Sequence, residues 1–290
     1  MNLSRMKQIV RPMAPLALLD LSHRRYLESM RRNDARRRQR FESLKTSVGE
    51  AAASISSLTR AQCLDAIFLE TEFIPSLGLN DEFLDEQPLE LSPNFGRGLH
   101  IWQYPSQLAG YLVWLARNSG DITSYMEIGC RWGGMFVLVS EWIRKNGGRL
   151  RSVIAVDPIP ATPFIDAYFD LLRVQATEGS PAIQATYLCD LSTSIAVKEI
   201  VEQVEPSLVF IDGDHQLRGV LSDYILVRDR SQIIVLHDVS SQSCPDSTFT
   251  WKILKKLERN EFEFYEFTNQ YQSVRGNFLG IGVMKRISTA

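Results

Sequence analysis

From Thr123 onward, short apolar runs alternate with stretches in which apolar positions recur every three or four residues. SYMEIG (124–129), SVIAVDP (152–158), IQATYLCD (183–190), LVFID (208–212) and QIIVLHD (232–238) predict strands. Between them, GGMFVLVSEWIRKNG (133–147), PFIDAYFDLLRVQA (163–176), TSIAVKEIVEQ (193–203) and LRGVLSDYILV (217–227) predict helices, the first stopping at the glycine pair 147–148. A further helix is expected around 248–257. Two last strands, EFEFYEF (261–267) and NFLGIGVMKR (277–286), follow with only a polar loop between them. Strict alternation of strand and helix predicts an α/β fold with a parallel, doubly wound sheet of seven strands. The last pair, joined without a helix, predicts an antiparallel C-terminal hairpin at one edge.

The first hundred residues follow other patterns. Residues 1–60 read as a basic helical N-terminal extension: RR recurs at 24–25 and 31–32, RRRQR follows at 36–40, and Leu21, Tyr26, Leu27, Met30, Phe41 and Leu44 are interleaved at helical spacing. Such an arm is a solvated face, a packing surface for a second subunit in a homo-oligomer, or a contact for phosphate-bearing partners. Residues 61–104 read as a connector or lid. The pieces LETEF, NDEFLDEQPLELSP and NFGRG are acidic and turn-rich, and little regular structure is expected there. WQYPSQLAGYLVWLARN then predicts a helix from Pro105, with Leu108, Leu112 and Leu115 on one face.

Composition narrows the picture further. A hydrophobic content of 44% and a charged content of 23% suit a globular protein, and a net charge of −2 offers no whole-chain attraction to nucleic acid or anionic lipid. No apolar run approaches the ~20 residues of a membrane span. MAPLALL near the N-terminus is too short for a signal peptide and runs into Asp20. The expected location is therefore cytoplasmic. Cys63, Cys130, Cys189 and Cys244 lack metal-finger spacing and read as reduced thiols, two of them buried at strand ends.

The chemistry gathers where the strands stop. In an open α/β sheet, ligands bind outside the carboxyl ends of the strands. LVFIDGDH (208–215) ends in Asp212, Asp214 and His215, and IIVLHDV (233–239) in His237 and Asp238. The first strand leads into Glu127-Ile-Gly-Cys-Arg-Trp-Gly-Gly134, a glycine-rich turn that lets a nucleotide-like ligand approach the backbone; the alternative is a tight strand-to-helix turn. Asp157 ends the second strand, placed for ribose hydroxyls, or else it caps the turn before Pro158. Asp190 ends the third, where an adenine amino group could meet it. Trp102, Tyr104, Trp132 and Trp251 read either as walls of an apolar acceptor pocket or as core.

EIGxxxGG, a strand ending in VD, then FIDGDH, then a strand ending in HD together resemble the class I S-adenosylmethionine-dependent methyltransferases. The similarity is greatest to the small-molecule branch of macrocin-type and catechol-type O-methyltransferases and the sequences loosely named cephalosporin hydroxylases. It covers roughly residues 100–286. The resemblance implies a Rossmann-like methyltransferase domain over 105–290, with Glu127, Gly129, Gly133 and Gly134 holding the methionine end of S-adenosylmethionine, Asp157 the ribose and Asp190 the adenine. It places Asp212 at the cofactor and, with His237 and Asp238, at a divalent metal, magnesium or manganese. Family members often carry two acids where this chain has His237-Asp238, which shifts preference toward softer ions. If no metal binds, His237 is the base instead.

The implied activity is methyl transfer to a hydroxyl of a small molecule, such as a sugar or secondary metabolite, with Asp214, His215 and His237 as candidate proton acceptors. Two rivals stay open. One is a non-catalytic S-adenosylmethionine-binding assembly or regulatory protein; the other is an RNA or protein methyltransferase gripping its substrate through the basic arm. Against this second rival, FIDGDH occupies the place where amino-methylating enzymes often carry an NPPY-type tetrapeptide.

Overall fold

A computed structural model of the chain describes residues 39–177 and 181–287. The chain divides into Met1–Arg40 and Phe41–Ala290, and every element named below lies in the second unit. The oligomerisation and phosphate-binding roles read from the basic segment before residue 39 fall outside the described residues.

Seven strands form one sheet in the order β3-β2-β1-β4-β5-β7-β6. They are β1 (Ser124–Ile128), β2 (Ser152–Val156), β3 (Gln184–Leu188), β4 (Leu208–Ile211), β5 (Ile233–His237), β6 (Phe262–Phe267) and β7 (Ile281–Arg286). The first five run parallel. β7 inserts antiparallel between β5 and β6, pairing Val235 with Val283 and Tyr265 with Val283 on its other side. The chain winds outward from β1 to β3, then returns to lay β4 on the free side of β1. The strand order therefore reverses between β1 and β4, the point at which such sheets open a crevice.

The helices follow the expected alternation: α1 (Thr46–Ser57), α2 (Pro105–Asn118), α3 (Gly134–Lys145), α4 (Pro163–Thr177), α5 (Ile195–Val204), α6 (Leu217–Val227) and α7 (Pro245–Leu257). Side chains alternate across the sheet with the strand period of two. Tyr125, Val153, Phe210 and Val235 join one core with residues of α1 to α4; Met126, Ile154, Val209 and Ile234 join the other with residues of α5 to α7. Both faces are thus covered, as continuous apolar strands require. No helix among the described residues is long and apolar enough to cross a membrane.

The connector departs from its sequence expectation. Rather than irregular chain, residues 60–94 form a succession of short helical turns, including a π turn at Leu69–Phe73. Two caps explain the start. Thr59 and Gln62 form a reciprocal capping box, and Asp65 accepts the N–H groups of Ile67 and Phe68. Beneath the acidic surface, Leu69, Phe73, Ile74 and Leu77 are buried, an apolar spacing that the many carboxylates obscured. The cysteine expectation is also corrected. Cys63 and Cys130 are buried, but only Cys130 follows a strand, while Cys189, at the end of β3, is exposed.

Candidate active site at the strand ends

The glycine turn after β1 is packed from three sides. Gly129 has φ +86, and a side chain there would meet the Asp212 carbonyl at the end of β4 within 2.2 Å. Gly133 abuts Ile165, and Gly134 lies under the carbonyl of Leu99. The connector is pinned to this turn by Arg131. Its guanidinium lies 4.2 Å from the centre of the Trp102 ring and 5.0 Å from that of Trp132, and it donates to Glu82 at 2.7 Å. The connector therefore roofs the turn, and both must shape whatever binds beneath.

Asp157 braces the same turn. Its carboxylate accepts the N–H of Arg131 at 2.8 Å and that of Ile159 at 3.0 Å. Burial pushes its pKa up, against the pull of those two N–H groups. The turn-capping alternative is thus realised in the geometry, and each carboxylate oxygen keeps acceptor capacity beyond the one bond described. Glu127, at the end of β1, is buried and accepts from the Tyr125 hydroxyl. Burial raises its carboxyl to about 8, with the Tyr125 bond opposing and Asp212 adding to the rise. Asp190 is exposed and accepts the N–H of Leu191 at 2.7 Å.

At the neighbouring ends of β4 and β5, Asp212, His237 and Asp238 come together, with a ligand atom from each within 4.8 Å of the others. Nδ1 of His237 lies 3.0 Å from Asp212 Oδ1 and 3.4 Å from Asp238 Oδ2. Although near both carboxylates, this buried nitrogen is out of line for a hydrogen bond with either. Burial alone would lower the His237 pKa, but the Asp212 and Asp238 charges outweigh it and hold the imidazole up at about 10. Asp238 is likewise buried, yet His237 and His215 keep it well below the usual carboxylate range. Its backbone is left-handed, with φ 58, a conformation rare outside glycine and tolerated by aspartate. That turn swings its carboxylate back toward His237.

His215 joins from the other side: its Nδ1 is 2.9 Å from Asp238 Oδ2, and its side chain remains 41% exposed. Partial burial opposes its protonation, but the Asp238 bond raises its pKa well above the ordinary value. Cys244 stands beside the same pair. Asp214 stands apart from these groups; its carboxylate accepts the N–H of Gln216 at 3.1 Å and shapes the turn into α6.

The aromatic candidates divide. Trp251 is core, buried against Gly282. Trp132 stacks on Phe41 at 4.8 Å. Trp102 packs beside the exposed Phe83, and the buried Tyr104 beside Tyr271. Two residues near the cluster escaped the sequence reading, Gln103 and Gln107. Gln103 is hydrogen-bonded to His237 Nε2, and Gln107 is bonded to Gln103. Their only signal was a pair of amides flanking the start of an otherwise apolar helix, Gln103 before its cap and Gln107 in its first turn.

No protein-family description matches the sequence, and no curated relative matches it. Similar chain paths occur among solved structures. A candidate rRNA methylase from Clostridium thermocellum is 11% identical, with a TM-score of 0.44 over 63% of this chain and 98% of that one. A candidate methyltransferase from Streptococcus mutans, solved with SAH, is 11% identical, with a TM-score of 0.44 over 64% and 99%. A candidate RNA methyltransferase from Pyrococcus horikoshii is 13% identical, with a TM-score of 0.41 over 83% and 99%. The fold assignment rests on the sheet order and pairing of this chain itself.

Proposed function

We propose that this protein transfers a methyl group from S-adenosylmethionine to a hydroxyl group of a small molecule, with a divalent cation at Asp212, His237 and Asp238. The observation that carries the reading is the meeting of these three side chains at the ends of β4 and β5, beside the glycine turn at the reversal of strand order.

The residues present fit both groups. A buried carboxyl held at about 8, as Glu127 is, suits an ammonium such as that of a methionine moiety, because the added positive charge offsets what burial removes. A buried nitrogen between two carboxylates, aligned with neither, suits a cation. One nitrogen and two oxygen donors favour manganese or another borderline ion over magnesium. When bound, S-adenosylmethionine supplies an electrophilic methyl and the cation lowers the pKa of a coordinated hydroxyl.

The chain's own residues supply the rest. The glycine turn and Asp157 hold the backbone against which a nucleoside would lie. Arg131, stacked on Trp102, covers the turn. Such fixed placement of two reactants is worth on the order of 7–11 kcal/mol of barrier. His215, half-exposed and bonded to Asp238, stands where a proton leaving the acceptor could pass to solvent. A test is calorimetry with S-adenosylhomocysteine and manganese, followed by anomalous scattering from crystals grown with both. Binding of the nucleoside with metal density between Asp212 and Asp238 supports the reading. Absence of nucleoside binding would sink it, and nucleoside binding without metal would remove the cation from the reading.

A further inference from the structure

The imidazole of His237 is held by a chain of side-chain amides that starts at backbone groups of fixed sense. Gln107, fully buried on α2, donates from Nε2 to the carbonyls of Asn269 at 2.9 Å and Phe278 at 3.3 Å. Its Oε1 accepts the N–H of Gly280 at 2.9 Å. Two carbonyls can only accept and one N–H can only donate, so this amide has one orientation. Its Oε1 also accepts from Gln103 Nε2 at 2.5 Å. Gln103 must therefore turn its own Oε1 the other way, and there it meets Nε2 of His237. An amide oxygen only accepts, so His237 carries a proton on Nε2.

The consequence falls on the opposite side of the ring. With Nε2–H held by Gln103, Nδ1 is the nitrogen left to exchange its proton for a cation, and it is the atom facing Asp212 and Asp238 at 3.0 and 3.4 Å. Ligand atoms about 2.0–2.1 Å from a common metal stand roughly 3.0–3.4 Å from one another in octahedral or tetrahedral arrangement. Both distances from Nδ1 fall in that range, and the two carboxylate oxygens lie within 4.8 Å of each other. Metal-binding histidines characteristically donate their second N–H to a fixed acceptor, which settles tautomer and ring orientation.

We infer that Gln103, locked by Gln107, is a positioning residue that fixes the Nε2–H tautomer of His237 and so presents Nδ1 to a borderline divalent cation shared with Asp212 and Asp238. This rests on the cation site proposed above and adds what makes its histidine a ligand. The relay also ties the site to the loop before β7, since Asn269, Phe278 and Gly280 all belong to that segment.

The test uses the full chain with zinc, which is diamagnetic. Histidine-labelled protein examined by long-range proton–nitrogen correlation should show a protonated Nε2 and a zinc-bound Nδ1 on His237. Gln103→Met keeps the length of the side chain but removes the acceptor. Its zinc affinity by calorimetry should fall about 10–100-fold, with a mixture of tautomers appearing in the spectrum. Coordination of His237 through Nε2 in the unaltered protein overturns the inference whether or not the variant folds. Unchanged zinc affinity and a single Nε2–H tautomer in Gln103→Met overturn it while leaving the cation site standing. No zinc binding by the unaltered protein removes both.

Discussion

A methyl group on Gly134 would stand 1.8 Å from the carbonyl oxygen of Leu99. The first residue of α3 and the end of the connector are therefore in backbone contact, and the glycine is required by that crossing. Gly134→Ala must push the connector off the glycine turn or shift the helix start. Overpacking of this kind typically destabilises by about 1–3 kcal/mol. We expect a lower thermal midpoint and faster hydrogen exchange around 97–101. An unchanged midpoint with unchanged exchange would show that the crossing is looser than the structure describes.

Of the two roles that the sequence position of Asp157 left as alternatives, the geometry shows the turn brace. Its two bonds to the N–H groups of Arg131 and Ile159 make it a brace of the turn whether or not a ribose binds. Asp157→Ala strands both donors, and buried donors left without partners cost about 1–3 kcal/mol. Asp157→Asn removes the charge while an oxygen still accepts one of the two. The asparagine variant should fold near the wild-type midpoint yet bind S-adenosylhomocysteine more weakly in calorimetry. Equal affinity in that variant would leave Asp157 a brace only.

The sheet was readable because its strands are buried on both faces. An apolar run such as LVFI or IIVLH, stopped by acids, has few other ways to fold, and α6 spans Leu217–Val227 as its periodicity predicts. The strand-end residues were readable for the same reason, since the end of an apolar run marks the edge of the core. The relay through Gln103 was hidden. A buried amide reveals its function only through partners such as Gly280, far along the chain, and no local pattern encodes them. The connector was misjudged because Leu69, Phe73 and Leu77 lie among acidic and turn-forming residues, which masks their helical spacing.

Asp212 is partly exposed and takes no part in the two hydrophobic cores. Asp212→Asn keeps its shape and removes one of the two carboxylates beside His237. Manganese binding, read by paramagnetic resonance of the free ion, should weaken at least about tenfold, a change of about 1.4 kcal/mol. Nucleoside affinity should move little, while the thermal midpoint of the metal-free protein at neutral pH should fall, because the buried His237 imidazolium loses one of its two facing charges. Manganese binding equal to wild type would remove Asp212 from the cation site. Stripping the unaltered protein with a chelator should lower its midpoint, because a ligand that binds only the folded state stabilises it.

Glu127 gives the clearest dependence on pH. Its carboxyl titrates near 8 in the folded chain, against an ordinary 4.5. Between those values the folded state holds a proton that the unfolded state has released. Stability from this group is therefore complete below about pH 4.5 and is lost as pH rises through 8, by an amount on the order of a few kcal/mol. Glu127→Gln keeps a neutral side chain at all pH. It should abolish this part of the decline, so that the variant gains on the wild type in denaturant melts from pH 5 to 9. A ligand bearing an ammonium beside Glu127 favours the carboxylate and releases the proton on binding. S-adenosylhomocysteine should accordingly bind the wild type more tightly as pH rises from 6 toward 8, and the glutamine variant should lack that dependence. Parallel stability curves for the two proteins would show that Glu127 is ionised throughout, and that burial at the end of β1 does not hold its proton.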